Sequence, residues 1–370
     1  MSSAGKAGLC SRDLYYSLRR EDMHWPELPA LKWAIPLPVA AVLAPVIWLV
    51  FRSTWKTLDA EALTYRQELA VRGAVDARPL VALALVAFIL TLQEFYGRQD
   101  FYEGVLHRVL ARHNEAHPHG FFDLKVYDDF YGRLWWAGTR ILGYLVPLAV
   151  WPLCFPRDRL ADFGLRVRGF SAHAWIYALC VAVMVPVLLI VSHQPDFADY
   201  YPMYKGAGRS WLDFVIWELF YLGQFFTLEL FFRGFILRAL RGFGAGAIWA
   251  MVVPYCMIHY GKPYLEACAA IAAGIVLGSL AMRTRSIYAG FLVHATVAVL
   301  MDVLALSRRG YLPSALAPGS THHLIFTHWR GVIWVAWALA LGVLALKAWR
   351  SRAHIAARLG RRAVVAPVPK

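Results

Sequence analysis

The sequence predicts an all-α protein, a polytopic transmembrane helix bundle with about eight or nine spans. Hydrophobic residues make up 59% of the 370-residue chain and charged residues 17%, and the mean hydropathy is +0.47. A typical soluble domain is about half apolar and about a quarter charged, so this composition favours a membrane protein. The 15 Trp and 18 Tyr are typical of aromatic side chains placed at the lipid headgroup level.

The apolar runs place the expected spans, because a helix that crosses a bilayer needs about 20 mostly apolar residues. Two runs are weaker, since 79–93 is short and 134–155 contains Arg140. The seven clear runs are 33–51, 172–192, 211–232, 243–258, 265–282, 287–306 and 331–346.

The same pattern divides the chain into three expected regions. Residues 1–160 form an N-terminal region with two or three less certain spans and a polar helical insertion at 96–136. Residues 161–350 form an intramembrane core, and residues 351–370 form a basic tail. The insertion is expected to be an extramembrane or interfacial helical element.

The net charge of +14 is distributed as in a membrane protein rather than a nucleic-acid binder. Lys and Arg fall in short clusters between apolar runs, which predicts a bilayer as partner and no nucleic acid. The basic tail predicts a cytoplasmic C-terminus in a multi-pass protein of the bacterial inner membrane. The loops at 157–168, 233–241 and 283–285 then also face the cytoplasm, whereas those around Lys262 and 200–209 face outward.

Four polar residues interrupt the apolar runs in the second half of the chain. Glu229 and Arg233 are spaced i, i+4 and therefore share one helix face, where they can partly neutralise each other. At a rise of about 1.5 Å per residue, Glu229, His259 and His294 all fall in the middle third of a core about 30 Å thick. Charges inside a span are expensive and mark functional sites, although a structural ion pair or helix-bridging histidines are the competing explanations.

These residue types favour hydrolysis. A carboxylate and an imidazole can take a proton from water, and a second imidazole can stabilise the oxyanion that forms when this water attacks a carbonyl. Zinc is the competing hypothesis, because His, His and Glu also bind catalytic zinc. No HExxH spacing is present and the residues lie on three separate spans, so we expect no metal and no other cofactor.

Three short motifs resemble those of the CPBP (Abi, CAAX-protease-like) intramembrane proteases. "ELFFRG" from Glu229, "YCMIH" ending at His259 and "HATVA" from His294 follow the order of the family's EExxxR, FxxxH and HxxxN. The resemblance covers about residues 210–305. It implies a metal-independent glutamic-type endopeptidase that cuts a membrane-associated protein or peptide, with Glu229 as base, His259 sharing the proton transfer, His294 holding water or the oxyanion, and Arg233 orienting Glu229.

The chain departs from this pattern at three positions. Leu228 stands in place of the first Glu, Ala298 in place of the Asn and Tyr255 in place of the Phe. Glu218 lies three helical turns before Glu229 on the same face, about 16 Å away, and is too distant to replace the missing Glu. The departures leave a second hypothesis, a catalytically inactive relative that acts as a membrane binding or immunity protein. A transporter is less favoured, because the sequence shows no inverted repeat.

Overall fold

The computed structural model describes residues 34–117, 122–166 and 170–316, and it confirms the all-α class. The described residues contain no β-strand, and an isolated bridge joins Leu165 to Ser286. The main helices are α1 (Pro36–Val71), α2 (Arg78–Tyr96), α3 (His107–Ala116), α4 (Leu124–Cys154), α5 (Phe170–Val191), α6 (Trp211–Ala239), α7 (Gly246–Met257), α8 (Tyr264–Thr284) and α9 (Tyr288–Arg308).

Eight of the nine predicted spans coincide with these helices. Within the described ranges, α1, α2, α4, α6, α8 and α9 are long and apolar enough to cross a membrane. The apolar part of α5 (Ile176–Val191) and α7 are shorter. The ninth predicted span at 331–346, the tail at 351–370 and residues 1–33 lie outside the described residues.

The helix boundaries differ from the predicted spans in the first half of the chain. Helix α1 continues to Val71, well past residue 51, and α4 begins at Leu124, inside the predicted insertion 96–136. Asp123 fixes the start of α4 by accepting hydrogen bonds from the backbone N–H groups of Lys125 and Val126, at 3.1 and 3.2 Å. A hydropathy pattern ends at the first polar residues, but a helix continues through them until a cap ends it.

Helix α6 occupies the centre of the bundle. More than half of its apolar window (56%) is buried inside the protein, against 6% for α1 and 22% for α2 and α4. It packs against α4 and α9, while α7 pairs with α8 and α9 pairs with α5. The outer helices expose large apolar side chains such as Leu37 on α1, Phe88 on α2 and Leu142 on α4, as expected for lipid-facing surfaces.

The loops separate into two groups, one at each end of the bundle. At one end, Arg238 lies 3.6 Å from Asp162, and the carbonyl of Gly164 accepts a hydrogen bond from the N–H of Ile287 at 3.0 Å. These contacts bring the basic segments around Asp162, Arg238 and Ile287 together, and residues 233–239 form the last turns of α6 rather than the loop expected from the sequence.

At the other end, Lys262 Nζ donates a hydrogen bond to the Tyr201 hydroxyl at 3.1 Å and lies 3.2 Å from Glu266. Burial lowers the Lys262 pKa, but the Glu266 carboxylate and nearby tyrosines outweigh it, so the Lys262 pKa stands above its ordinary value. The loop around Lys262 and the loop at 200–209 therefore share the end opposite to the basic loops. This is the alternation expected when positive charge is concentrated on one side of a membrane.

Candidate functional site

Glu229 and Arg233 form an ion pair in the centre of α6. Glu229 Oε1 lies 3.0 Å from Arg233 Nη1, and neither side chain is exposed. Directly after Glu229, the backbone adopts a π-helical turn over Leu230–Ile236, which contains Arg233. Such wide turns are rare within α-helices and occur frequently at functional sites.

His294 of α9 completes the contact around Glu229. Its Nδ1 lies 2.8 Å from Glu229 Oε1, the oxygen that also faces Arg233. One turn earlier on α9, Gly290 lies directly against the Glu229 carboxylate, and a Cβ at this position would collide with it. The missing side chain at Gly290 thus permits the close approach of α9 to α6 that brings imidazole and carboxylate together.

Tyr255 of α7 contacts both histidines. In the sequence it stands where the family motif has Phe. Its hydroxyl lies 3.0 Å from His294 Nε2, and the Arg233 guanidinium lies over its ring at 4.0 Å. The residue is buried, with 1% exposure. A role for the Tyr255 hydroxyl could have been inferred from the sequence, because a hydroxyl in an apolar span needs a hydrogen-bond partner within the protein.

His259 lies in the turn that follows α7 and contacts the same tyrosine. Its Nδ1 is 2.8 Å from the Tyr255 carbonyl oxygen. Because a carbonyl can only accept, this nitrogen carries the proton and Nε2 has a free lone pair. The Tyr255 ring centroid is 4.7 Å from that of His259 and 6.3 Å from that of His294, so the two imidazoles lie at most about 11 Å apart.

The structure thus brings three of the four sequence-derived residues into direct contact. Glu229 contacts both Arg233 and His294, and His259 adjoins them through Tyr255. Burial is uneven across the set, since Glu229 and Arg233 are fully enclosed, whereas the His294 side chain is 14% exposed. Water reaches the imidazole more readily than it reaches the carboxylate.

Enclosure also strengthens the electrostatics of the site. Phe225 packs against the His294 ring with centroids 5.3 Å apart, and Phe232 packs edge-on against Tyr255 at 5.4 Å. In such apolar surroundings, charge–charge contacts are stronger than in water, and an unpaired charge is costly. Within the described residues, neither Glu229 oxygen has a hydrogen-bond partner, so its contacts with Arg233 and His294 are close approaches of polar atoms without hydrogen-bond geometry.

The two positions that lack family residues are apolar in the fold. Leu228 is 4% exposed and belongs to the central apolar cluster with Phe231 and Phe232. Ala298, one turn after His294 on α9, is 2% exposed and packs in a second cluster with Tyr221. Both positions are therefore filled by hydrocarbon.

A second buried acidic spot lies nearer the opposite end of α6. Asp302 of α9 is fully buried and accepts a hydrogen bond from Trp217 Nε1 at 2.9 Å. The oxygens of Glu218, which is 7% exposed, have no hydrogen-bond partner among the described residues. Glu218 precedes Glu229 by eleven residues on α6, about 16 Å along the helix, so this spot is separate from the site around Tyr255.

The described residues contain no group of three or more His, Cys, Asp or Glu that could hold a metal ion. His259 and His294 both direct a nitrogen at Tyr255, one at its carbonyl and one at its hydroxyl. Glu229 contacts His294 and Arg233.

Comparison with known families confirms the resemblance for one segment of the chain. Residues 210–300 match the Rce1-like family, described as type II CAAX prenyl endopeptidase Rce1-like. The matched segment runs from the start of α6 into α9 and contains every residue of the site. No curated protein and no solved structure matches the chain.

Proposed function

We propose that this membrane protein, whose residues 210–300 belong to the Rce1-like family, is an intramembrane endopeptidase that cleaves a membrane-associated protein or peptide. The observation that carries the proposal is the contact of Glu229 Oε1 with His294 Nδ1 at 2.8 Å and with Arg233 Nη1 at 3.0 Å. A buried carboxylate between Arg233 and His294 is costly to bury and contributes little to stability. It is well suited to hold an imidazole in a defined protonation state.

His259 is the group best placed to activate water. Its Nδ1 proton is committed to the Tyr255 carbonyl, so its Nε2 is the free base. The sequence alone favoured Glu229 as base with His259 sharing the proton transfer. Because Glu229 is completely enclosed, we assign the contact with water to His259, and Glu229 acts through its contact with His294.

The remaining contacts supply stabilisation of the oxyanion. His294 Nδ1 faces Glu229 Oε1, and its Nε2 lies 3.0 Å from the Tyr255 hydroxyl oxygen, so His294 holds this hydroxyl in place. We propose that the Tyr255 O–H turns toward the substrate and donates to the oxyanion. The hydroxyl thereby takes the place of the amide that the chain lacks at Ala298.

The steps of hydrolysis then balance without a further reactant. His259 Nε2 takes a proton from water as the water oxygen bonds to the scissile carbonyl carbon, and the carbonyl π electrons move to its oxygen. Tyr255 stabilises that oxyanion. When the intermediate collapses, the C–N bond breaks and His259 returns the proton to the leaving nitrogen, which yields a carboxylic acid and an amine.

The proposed setting is the bacterial inner membrane, with the C-terminus in the cytoplasm. The basic segments around Asp162, Arg238 and Ile287 meet at one end of the bundle, which supports a common side for them. By the positive-inside rule that side is the cytoplasm.

A second candidate function is supported by Leu228 and Ala298. Because both positions are apolar and buried, two polar groups of the family motifs have no equivalent in this fold. An inactive relative that binds a membrane partner, or confers immunity, would keep the ion pair as a structural element. It would bind a membrane peptide without cutting it.

Chemical rescue distinguishes a base at His259 from a structural histidine. The probe is a farnesylated peptide that ends in a CAAX sequence, the substrate type in the name of the matched family. His259→Ala is expected to lower cleavage by at least about 10²-fold, and added imidazole is expected to restore part of it. Loss of cleavage without rescue, together with an unchanged melting temperature, would exclude His259 as base, and intact binding by an uncleaving wild type would favour the inactive relative.

A further inference from the structure

A polar cavity lies at the end of the bundle where the basic segments meet. It has a volume of about 250 Å³ and is formed by the ends of α6 and α8, the start of α9 and the loop around Gly164. We call it the arginine vestibule. Its five arginines are Arg166, Arg233, Arg238, Arg241 and Arg285.

The vestibule holds more positive charge than its acidic residues neutralise. Its two acids are Glu61 and Asp162. Glu61 is engaged by Arg285, with Nη2 2.6 Å from Oε1, and Asp162 is engaged by Arg166 at 2.9 Å. Because the Arg233 guanidinium is enclosed beside Glu229, two carboxylates face four accessible guanidinium groups.

Two of the arginines lack a close carboxylate. Arg238 lies 3.6 Å from Asp162, which is beyond hydrogen-bond distance and shared with Arg166. Arg241 stacks on the Tyr65 ring at 4.3 Å, and within the described residues no carboxylate lies within 4.0 Å of it. Both guanidinium groups retain donors for a ligand.

Arg233 belongs to the inner wall of the vestibule, but its guanidinium group is enclosed. Its Nη1 lies 3.0 Å from Glu229 Oε1, and its side chain is fully buried. The Arg233 guanidinium therefore does not reach the vestibule, and the donors available to a ligand come from Arg238 and Arg241.

We propose that the arginine vestibule binds a phosphate group, carried by an anionic phospholipid headgroup or by free phosphate. Guanidinium groups pair with phosphate through two parallel hydrogen bonds, and basic pockets between the ends of transmembrane helices bind anionic headgroups. The vestibule lies where α6 and α8 end, the level at which headgroups are found. Arg233 lines the vestibule and also belongs to the peptidase site, but phosphate binding by Arg238 and Arg241 does not require the proposed peptidase chemistry.

The test uses purified full-length protein in detergent at constant ionic strength. Phosphatidylglycerol is titrated while the melting temperature is followed, with phosphatidylcholine, sodium phosphate and sodium acetate as parallel probes. The variant is Arg238→Gln/Arg241→Gln. The matched control, Arg98→Gln/Arg133→Gln, removes two arginines that are paired with Glu94 and Asp129 outside the vestibule.

Phosphatidylglycerol is expected to raise the melting temperature of the wild type and the control. Its apparent affinity should fall at least about tenfold in the vestibule variant, because two charge-assisted contacts are lost. Stabilisation by phosphatidylglycerol alone identifies a lipid headgroup as the source, and equal stabilisation by sodium phosphate identifies free phosphate. Equal responses in variant and control, or stabilisation by acetate as strong as that by phosphate, overturn the proposal.

A second measurement uses only the wild type, so it tests the proposal even if the vestibule variant does not fold. Phenylglyoxal modifies accessible arginines, and mass spectrometry locates the modified residues. The phosphate-containing ligand should protect Arg238 and Arg241 at least about threefold more than it protects Arg98, because protection follows occupancy of the site. Equal modification with and without ligand contradicts the site.

Discussion

Glu229 and His294 lie on separate helices, yet Glu229 Oε1 is 2.8 Å from His294 Nδ1. The contact depends on the close approach of α6 and α9, where Gly290 leaves no side chain between them. Arg233 on the other side and Tyr255 on the far imidazole nitrogen extend it into one chain of polar contacts. The charge of Glu229 can therefore act at the Tyr255 hydroxyl without exposure of the carboxylate.

Gly290→Ala tests the close approach of α9 to α6. The added methyl group would collide with the Glu229 carboxylate, so the helices must move apart or Glu229 must turn away. We expect the variant to lose cleavage and about 1–3 kcal/mol of unfolding free energy, the usual cost of overpacking a tight contact.

Gly138→Ala is the matched control on α4, because a Cβ there meets no atom within 4 Å. It should leave activity unchanged and raise stability by up to about 1 kcal/mol, the helix preference of Ala over Gly. Chemical denaturation and cleavage assays measure both variants. An active, fully stable Gly290→Ala protein would show that the contact has no role.

Tyr255→Phe restores the aromatic residue of the family motif and removes one hydroxyl. Loss of an oxyanion donor typically lowers kcat by about 10²–10³-fold, with little change in KM. The ring, and with it the contact to Arg233, stays in place. We therefore expect a fall in kcat at nearly constant KM and melting temperature.

Tyr144→Phe is the control, since this buried tyrosine packs against Phe231 away from both histidines. It should retain wild-type kcat. A Tyr255→Phe protein that is as active as wild type would remove the hydroxyl from the mechanism, whereas a parallel fall in stability would indicate a packing role.

Membrane topology gives a prediction independent of catalysis. Reporter fusions after Arg352 and after Lys262 are expected to lie on opposite sides, with the Arg352 fusion in the cytoplasm. The described structure places the Lys262 loop at the end opposite to the basic loops. Signals from the same side for both fusions would contradict the assigned orientation.

Much of the fold could be predicted from the sequence, because hydropathy and helical rise act over short distances. Length and apolarity located eight helices, and a rise of about 1.5 Å per residue placed Glu229, His259 and His294 at one depth. The end of α1 at Val71 and the start of α4 at Leu124 were missed. Both helices continue into polar residues that hydropathy assigns to loops.

The lateral arrangement of the site could not be predicted in this way. Depth does not specify which helix faces which, so the sequence could not show which of the two histidines contacts Glu229. The fold puts His294 against Glu229 and leaves His259 beside the Tyr255 carbonyl. The π-helical turn after Glu229 also has no signature in the apolar pattern.

The central claim is that the Glu229–His294 contact drives metal-independent hydrolysis. Its most direct test is cleavage of the farnesylated CAAX peptide by wild-type and Glu229→Gln protein in detergent, each with and without a chelator. Glu218→Gln serves as the control for a change at a buried carboxyl group of the same helix. We expect wild type and Glu218→Gln to cleave equally with or without chelator, and Glu229→Gln to cleave at least about 10²-fold more slowly. Full activity in Glu229→Gln would contradict the account, and loss of wild-type activity with chelator would contradict its metal-independent chemistry.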